Sequence, residues 1–135
     1  MKLIILRDNL KLGLERVSRA ISETSQLPIL KNILLKSKNN KVYLLGTNLE
    51  LAVTANISGK IIENGECAIP FNVFSTIVNN LDSDRINLDK KDNTLIIKTD
   101  NYSAIIQGMD PTDFPIIPDI ENKKNHIEIN SNVLK

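Results

Sequence analysis

Few residues of this 135-residue chain are of types and spacings that do chemistry. His126 is the only histidine, and no cysteine or paired carboxylate stands near it at ligand spacing, so it reads as the start of a strand rather than a metal ligand or an activating base. Asp82-Ser83-Asp84, and the pair Asp89 and Asp92, bring carboxylates together. Lys90 and Lys91 are interleaved with the second pair and the composition is that of loops, which points to solvated hairpin tips instead of a cation site. Gly59-Lys60 lacks the preceding glycine and the following Ser or Thr of a phosphate loop, and no G-x-G-x-x-G occurs. No catalytic residues, metal or cofactor are therefore expected, and an enzyme ranks behind a binding protein. The one cluster that points to a ligand is cationic. Arg7, Lys11, Arg16 and Arg19 recur along one short segment, where they read either as a face for phosphates or as an ordinary solvated helix surface.

Composition bounds the rest. Lys plus Arg number 17 against 16 Asp plus Glu, a net charge of +1, so the chain cannot grip nucleic acid by bulk charge. Aromatic residues make up 4%, too few for a single-strand binder that stacks bases on rings. With 41% apolar and 24% charged residues the composition is that of a globular domain, and the length suits one core. Cys67 is the single cysteine, which excludes an internal disulfide, and it sits in the apolar run Cys67-Ala68-Ile69. The apolar run at Leu3-Ile4-Ile5-Leu6 is too short for a signal peptide or a membrane span, so a cytoplasmic protein without membrane contact is expected.

The elements that must position the cations follow from periodicity. Leu3 to Leu6 form a buried strand feeding a helix over residues 8–22, capped at or near Asp8. Leu10, Leu14, Val17 and Ile21 share one face of that helix, and Lys11, Glu15, Arg16, Ser18, Arg19 and Ser22 take the other. After Pro28 short apolar runs dominate: Ile29-Leu30, Ile33-Leu34-Leu35, Val42-Tyr43-Leu44-Leu45 and Leu51-Ala52-Val53 read as strands. Asn39-Asn40 reads as a hairpin turn and Gly46-Thr47-Asn48 as a second reversal or bulge. Cys67-Ala68-Ile69 is a further strand, entering a second helix over residues 72–81 with Phe74, Ile77, Val78 and Leu81 on its core face. A hairpin of Ile86–Leu88 with Leu95–Ile97 follows, then a strand over 102–107. From Asp110 the chain is turn-rich, and residues 121–125 read as a linker.

The order strand, helix, strands thus occurs twice, and residues 127–135 restate residues 3–11. Ile69-Pro70-Phe71-Asn72-Val73-Phe74 is a third copy, which places Asp8, Asn72 and Asn132 at equivalent capping positions. Residues 1–120 then form a first domain, and residues 121–135 a linker and the start of a second, as in a longer chain.

Leu27-Pro28-Ile29-Leu30-Lys31-Asn32-Ile33-Leu34-Leu35, Leu44-Leu45-Gly46-Thr47-Asn48-Leu49-Glu50 and Asp113-Phe114-Pro115 resemble the first domain of the bacterial sliding clamp family, the beta subunit of DNA polymerase III. The resemblance implies an α+β DNA-clamp fold, strand-helix-strands repeated twice, with two helices packed on antiparallel sheets. It also implies a non-enzymatic homodimer ring of three-domain chains that encircles double-stranded DNA without reading its sequence. DNA polymerase III and the clamp loader would bind through later domains. In that family the helices line the hole, so Lys11, Arg16, Arg19, Thr24 and Asn72 would face DNA, with Thr24 and Asn72 standing where the family carries arginines. Ile77, Leu81, Ala104 and Ile106 would form the ring interface, beside the open edge of strand 102–107. The alternative is a free-standing α+β interaction module that dimerises through sheet edges.

Overall fold

A computed structural model describes residues 1–116 apart from 23 and 25. Strand β1 (Lys2–Leu6) runs directly into helix α1 (Arg7–Val17), which tightens into a 3-10 turn at Ser18–Ala20. After a second 3-10 turn (Pro28–Lys31) come β2 (Asn32–Lys38), β3 (Lys41–Thr47), β4 (Ala52–Ile57) and β5 (Lys60–Glu63). Strand β6 (Gly65–Pro70) enters helix α2 (Phe71–Asn80), and β7 (Arg85–Lys91), β8 (Thr94–Lys98) and β9 (Ser103–Gln107) complete the sheets before a 3-10 turn at Pro111–Asp113.

Among the described residues all strand pairs are antiparallel, and they form two sheets, ordered β5-β1-β7-β8-β9 and β4-β3-β2-β6. The repeat is visible in this order. β1 joins the meander β7-β8-β9 of the second half, and β6 joins the meander β2-β3-β4 of the first. Each half lends its first strand to the other, so neither can complete a sheet alone. Leu3 and Ile5 of β1, Ile33 and Leu35 of β2, Ile69 of β6 and Ile86 and Leu88 of β7 meet in one core with Leu10, Leu14, Phe74 and Val78 from the helices.

The close approach of α1 to the sheet depends on a missing side chain. A Cβ on Gly13 would stand 2.6 Å from Ile57 Cγ2 and 2.9 Å from Leu44 Cδ1. Both halves also leave their last meander strand through a glycine. After β4, Gly59 leads into β5, which pairs with β1; after β9, Gly108 leads to Met109, which bridges to Ala68 of β6. The chain then lays Phe114 over Leu34 and Ala68, forming a second small core on the outer face of the four-stranded sheet.

The structure corrects several expectations. Neither Asp8 nor Asn72 caps its helix: Leu6, in extended conformation, and Pro70, at φ −59 and ψ 123, hold the cap positions without side-chain cap bonds. Asp8 and Asn72 are each the second helical residue, so they are equivalent, as the repeat implies, but the strands run straight into the helices and leave no room for a capping turn. α1 ends at Val17, and Ile21 is already extended at φ −84 and ψ 130. Ile29-Leu30 form a 3-10 turn because Pro28 starts it. Asn39 and Asn40 make the expected hairpin turn, at φ 53 and 61, the left-handed pair that a two-residue connection needs. His126, Asn132 and the restart at residue 127 lie outside the described residues.

Candidate nucleic-acid interface

The two helices lie side by side, and between them runs a groove of about 420 Å³. Lys11, Glu15 and Ser18 form one wall, Ser75 and Asn79 the other, with Leu14 and Phe71 at its base. The repeat relates the walls, since residues 64 apart are equivalent: Lys11 corresponds to Ser75, and Glu15 to Asn79. Each charged residue on α1 is thus matched by a neutral one on α2. α2 carries no charged residue at all, only Asn72, Ser75, Thr76, Asn79 and Asn80 among its apolar positions. Asn79 Nδ2 donates to Ser75 Oγ at 3.4 Å and Asn80 Nδ2 to the Thr76 carbonyl at 2.9 Å.

The four cations of the first segment separate into two kinds. Arg7 is committed to the fold: its Nε donates to the Val78 carbonyl at 3.3 Å and its Nη2 to the Asn79 carbonyl at 3.4 Å. Its guanidinium therefore closes the C-terminal end of α2, where carbonyls lack helical partners and the helix dipole is negative. Lys11, Arg16 and Arg19 are exposed and make no hydrogen bond or ion pair with any described residue. The exposed crest between them is mixed. Asp8, Leu12, Glu15 and Arg19 repeat the spacing of the core stripe on the opposite side, so two carboxylates stand among the cations. Thr24 and Asn72 are also exposed.

The residues expected at a ring interface are placed less openly. Leu81 and Ile106 are core residues, 5% and 4% exposed, while Ile77 and Ala104 are half-buried and pack against that core. The alternation of β9 explains this: Ala104 and Ile106 share the core-facing side, and Ile105 points outward at 71% exposure. Among the described residues β9 pairs only with β8, and its other edge has no strand beside it. Sequence reasoning passed over Ile105, although the alternation of Ser103, Ala104, Ile105, Ile106 and Gln107 carried the signal.

The motif segments shape the backbone. Thr47 Oγ1 accepts from Leu49 N–H and donates to the Leu51 carbonyl, both at 3.0 Å, while Asn48 Oδ1 accepts from Glu50 N–H at 3.0 Å and Leu51 N–H at 2.7 Å. Together they hold Leu49 at φ 77 and reverse the chain between β3 and β4. Leu30 and Asn32 are buried at 3%, and Phe114 at 6% anchors the outer small core. Cys67 is buried, and burial pushes its thiol up to about 12, an effect Lys90 offsets only partly, so it is held protonated at neutral pH. Among the described residues, no group of three or more His, Cys, Asp or Glu could hold a metal ion.

Comparison with known proteins gives these features a setting. The family model for the DNA polymerase III beta subunit, N-terminal domain, matches residues 1–118. A beta sliding clamp from Synechocystis sp. is 32% identical over 133 residues, covering 92% of this chain and 34% of that protein. One from Staphylococcus epidermidis is 27% identical over 144 residues, covering 100% and 38%. The crystal structure of a DNA polymerase III beta subunit from Eubacterium rectale superposes with a TM-score of 0.85 at 30% identity, covering 90% of this chain and 33% of that one. The chain spans about a third of the length of the curated relatives it matches.

Proposed function

Because the chain belongs to the DNA polymerase III beta subunit family, through that family's N-terminal domain, we propose that it is the first domain of a sliding clamp, a processivity factor. The ring would encircle duplex DNA, regardless of sequence, and tether the replicative polymerase. The match over residues 1–118 carries this reading, and the geometry supports it. Three exposed cations without a partner among the described residues, Lys11, Arg16 and Arg19, stand on the helix layer, with Thr24 and Asn72 as neutral neighbours. A closed ring keeps its DNA by topology and must slide, so weak and water-mediated phosphate contacts suit it better than base readout. A layer that is half neutral and half mixed in charge is of that kind.

In this reading residues 1–120 are one domain, and residues 121–135 are a linker and the first strand and helix start of a second. The chain has no catalytic role and works in the cytoplasm; among the described residues, no helix is long and apolar enough to cross a membrane. Dimerisation would use the open edge of β9 against the third domain of a second chain. Ile77 and Ala104 would contribute at the surface, and Leu81 and Ile106 would support them from beneath. Polymerase and clamp loader would bind later domains.

The test is the mass of the full-length protein by light scattering, with its retention on nicked circular DNA before and after linearisation. Dimers of a chain about three times this length that stay on circles and leave linear ends are the expected result. A protein indifferent to DNA topology would refute the reading and leave a module that pairs through its sheet edge.

A further inference from the structure

We propose that Glu15 keeps the hold on duplex DNA loose, its carboxylate offsetting the charge of Lys11 one helical turn away at the groove between the helices. This rests on the reading above, that the helix layer faces DNA. Lys11 and Glu15 are one helical turn apart on the same wall of the 420 Å³ groove. The α2 wall, Phe71, Ser75 and Asn79, offers a hydroxyl and an amide but no charge. Without Glu15 the groove is a phosphate seat: an ammonium on one side, neutral donors on the other and an apolar base. With it, a phosphate that approaches Lys11 also approaches a carboxylate, and the groove favours water.

Helix stabilisation is the competing role for Glu15, since Lys11 and Arg19 flank it at i−4 and i+4. Neither cation comes within ion-pair distance of it, so Glu15 is not tied up in a helix pair and its charge acts on the groove beside Lys11 through space. Asp8, on the same crest, sits in the first turn of α1, where its charge favours the helix dipole. Glu15 lies beyond that turn and has no such role.

Glu15→Gln keeps size and helix propensity and removes only the charge. The experiment measures affinity of the full-length dimer for a fluorescent linear duplex by anisotropy, across about 50 to 200 mM KCl. The variant should bind roughly two- to threefold tighter at the low end, with log K against log salt steeper by about 0.9 per domain as one more phosphate is engaged. The gain should vanish in a Lys11→Ala background. If Glu15→Gln changes neither affinity nor slope while Lys11→Ala or Arg19→Ala weakens binding, the inference falls and the DNA-facing reading stands. A gain that persists without Lys11 also overturns it, since the groove is then not the seat. If none of the three variants alters binding, the DNA-facing reading fails and takes this inference with it.

Discussion

Gly108→Ala should destabilise the chain more than Gly59→Ala, although the two glycines are equivalent in the repeat. Neither has positive φ, so alanine fits both backbones and only space is at issue. A Cβ on Gly108 would stand 2.2 Å from the Ala68 carbonyl oxygen and 2.8 Å from that of Asn93. A carbon and an oxygen settle no closer than roughly 3.3 Å, so the Ala68 carbonyl must retreat by about 1 Å. That movement breaks Met109 N–H to Ala68 C=O at 2.9 Å and strains Gly108 N–H to Asn93 C=O at 2.8 Å. Two backbone bonds at about 1 kcal/mol each, plus strain and partly unsatisfied groups, come to about 3 kcal/mol. Reduced freedom of the unfolded chain returns about 0.4–1 kcal/mol. At Gly59 the nearest atom is Ile5 Cγ1 at 2.9 Å, a buried side-chain carbon whose shift costs about 1–2 kcal/mol but breaks no backbone hydrogen bond, and the stiffer unfolded chain returns part of it. Urea unfolding of the two variants measures the difference directly, as a shift in midpoint at constant slope. Equal stabilities would refute the reasoning, by showing that the crossing from β9 to β6 is not held rigidly by its backbone.

Two further outcomes follow from groups already placed. Arg7→Ala should lower stability by about 1 kcal/mol, read by urea unfolding, and leave the DNA affinity of the full-length protein unchanged; Arg19→Ala should do the reverse, with stability within about 0.5 kcal/mol of the parent. Burial raises the Cys67 thiol from 9.0 to about 12, so the folded state keeps a proton that the unfolded state releases first. Stability from this group is complete below pH 9 and falls as pH rises towards 12, which Cys67→Ala should flatten in unfolding midpoints taken across that range.

Much of the fold was legible because periodicity reports burial. The core stripe of α1, the Asn39-Asn40 turn and the order of strands and helices all follow from it. β5 was not legible: Lys60, Ile61, Ile62 and Glu63 form an edge strand with only Ile61 packed on the core, too short and too charged to show alternation. The capping role of Asp8 failed because a side chain can cap only where the chain turns before the helix, and here a strand enters it without a turn. Arg7 could not be told from Lys11 in sequence, since its partners, Val78 and Asn79, are carbonyls 71 and 72 residues away. Leu81 and Ile106 were legible in principle. Their repeat equivalents, Val17 and Ile57, are buried at 0% and 7%, and the same positions in the second half are buried for the same reason.

The repeat therefore constrains the inside and frees the outside. Leu10 and Phe74, Leu14 and Val78, and Val17 and Leu81 occupy matching positions and are all buried, because a packed core accepts only apolar side chains of fitting volume. At the solvent positions 64 residues apart the halves diverge: Arg7 becomes Phe71, Lys11 becomes Ser75, Glu15 becomes Asn79 and Arg16 becomes Asn80. Even the contact between the helices is made differently in each direction, with Arg7 closing the end of α2 while Phe71 fills the base of the groove. Two backbones of one design thus present one charged wall and one neutral wall to whatever lies along them. A duplex lying there would meet its phosphate attraction on α1 alone, tempered by Asp8 and Glu15, and would glide past α2 on amides and hydroxyls.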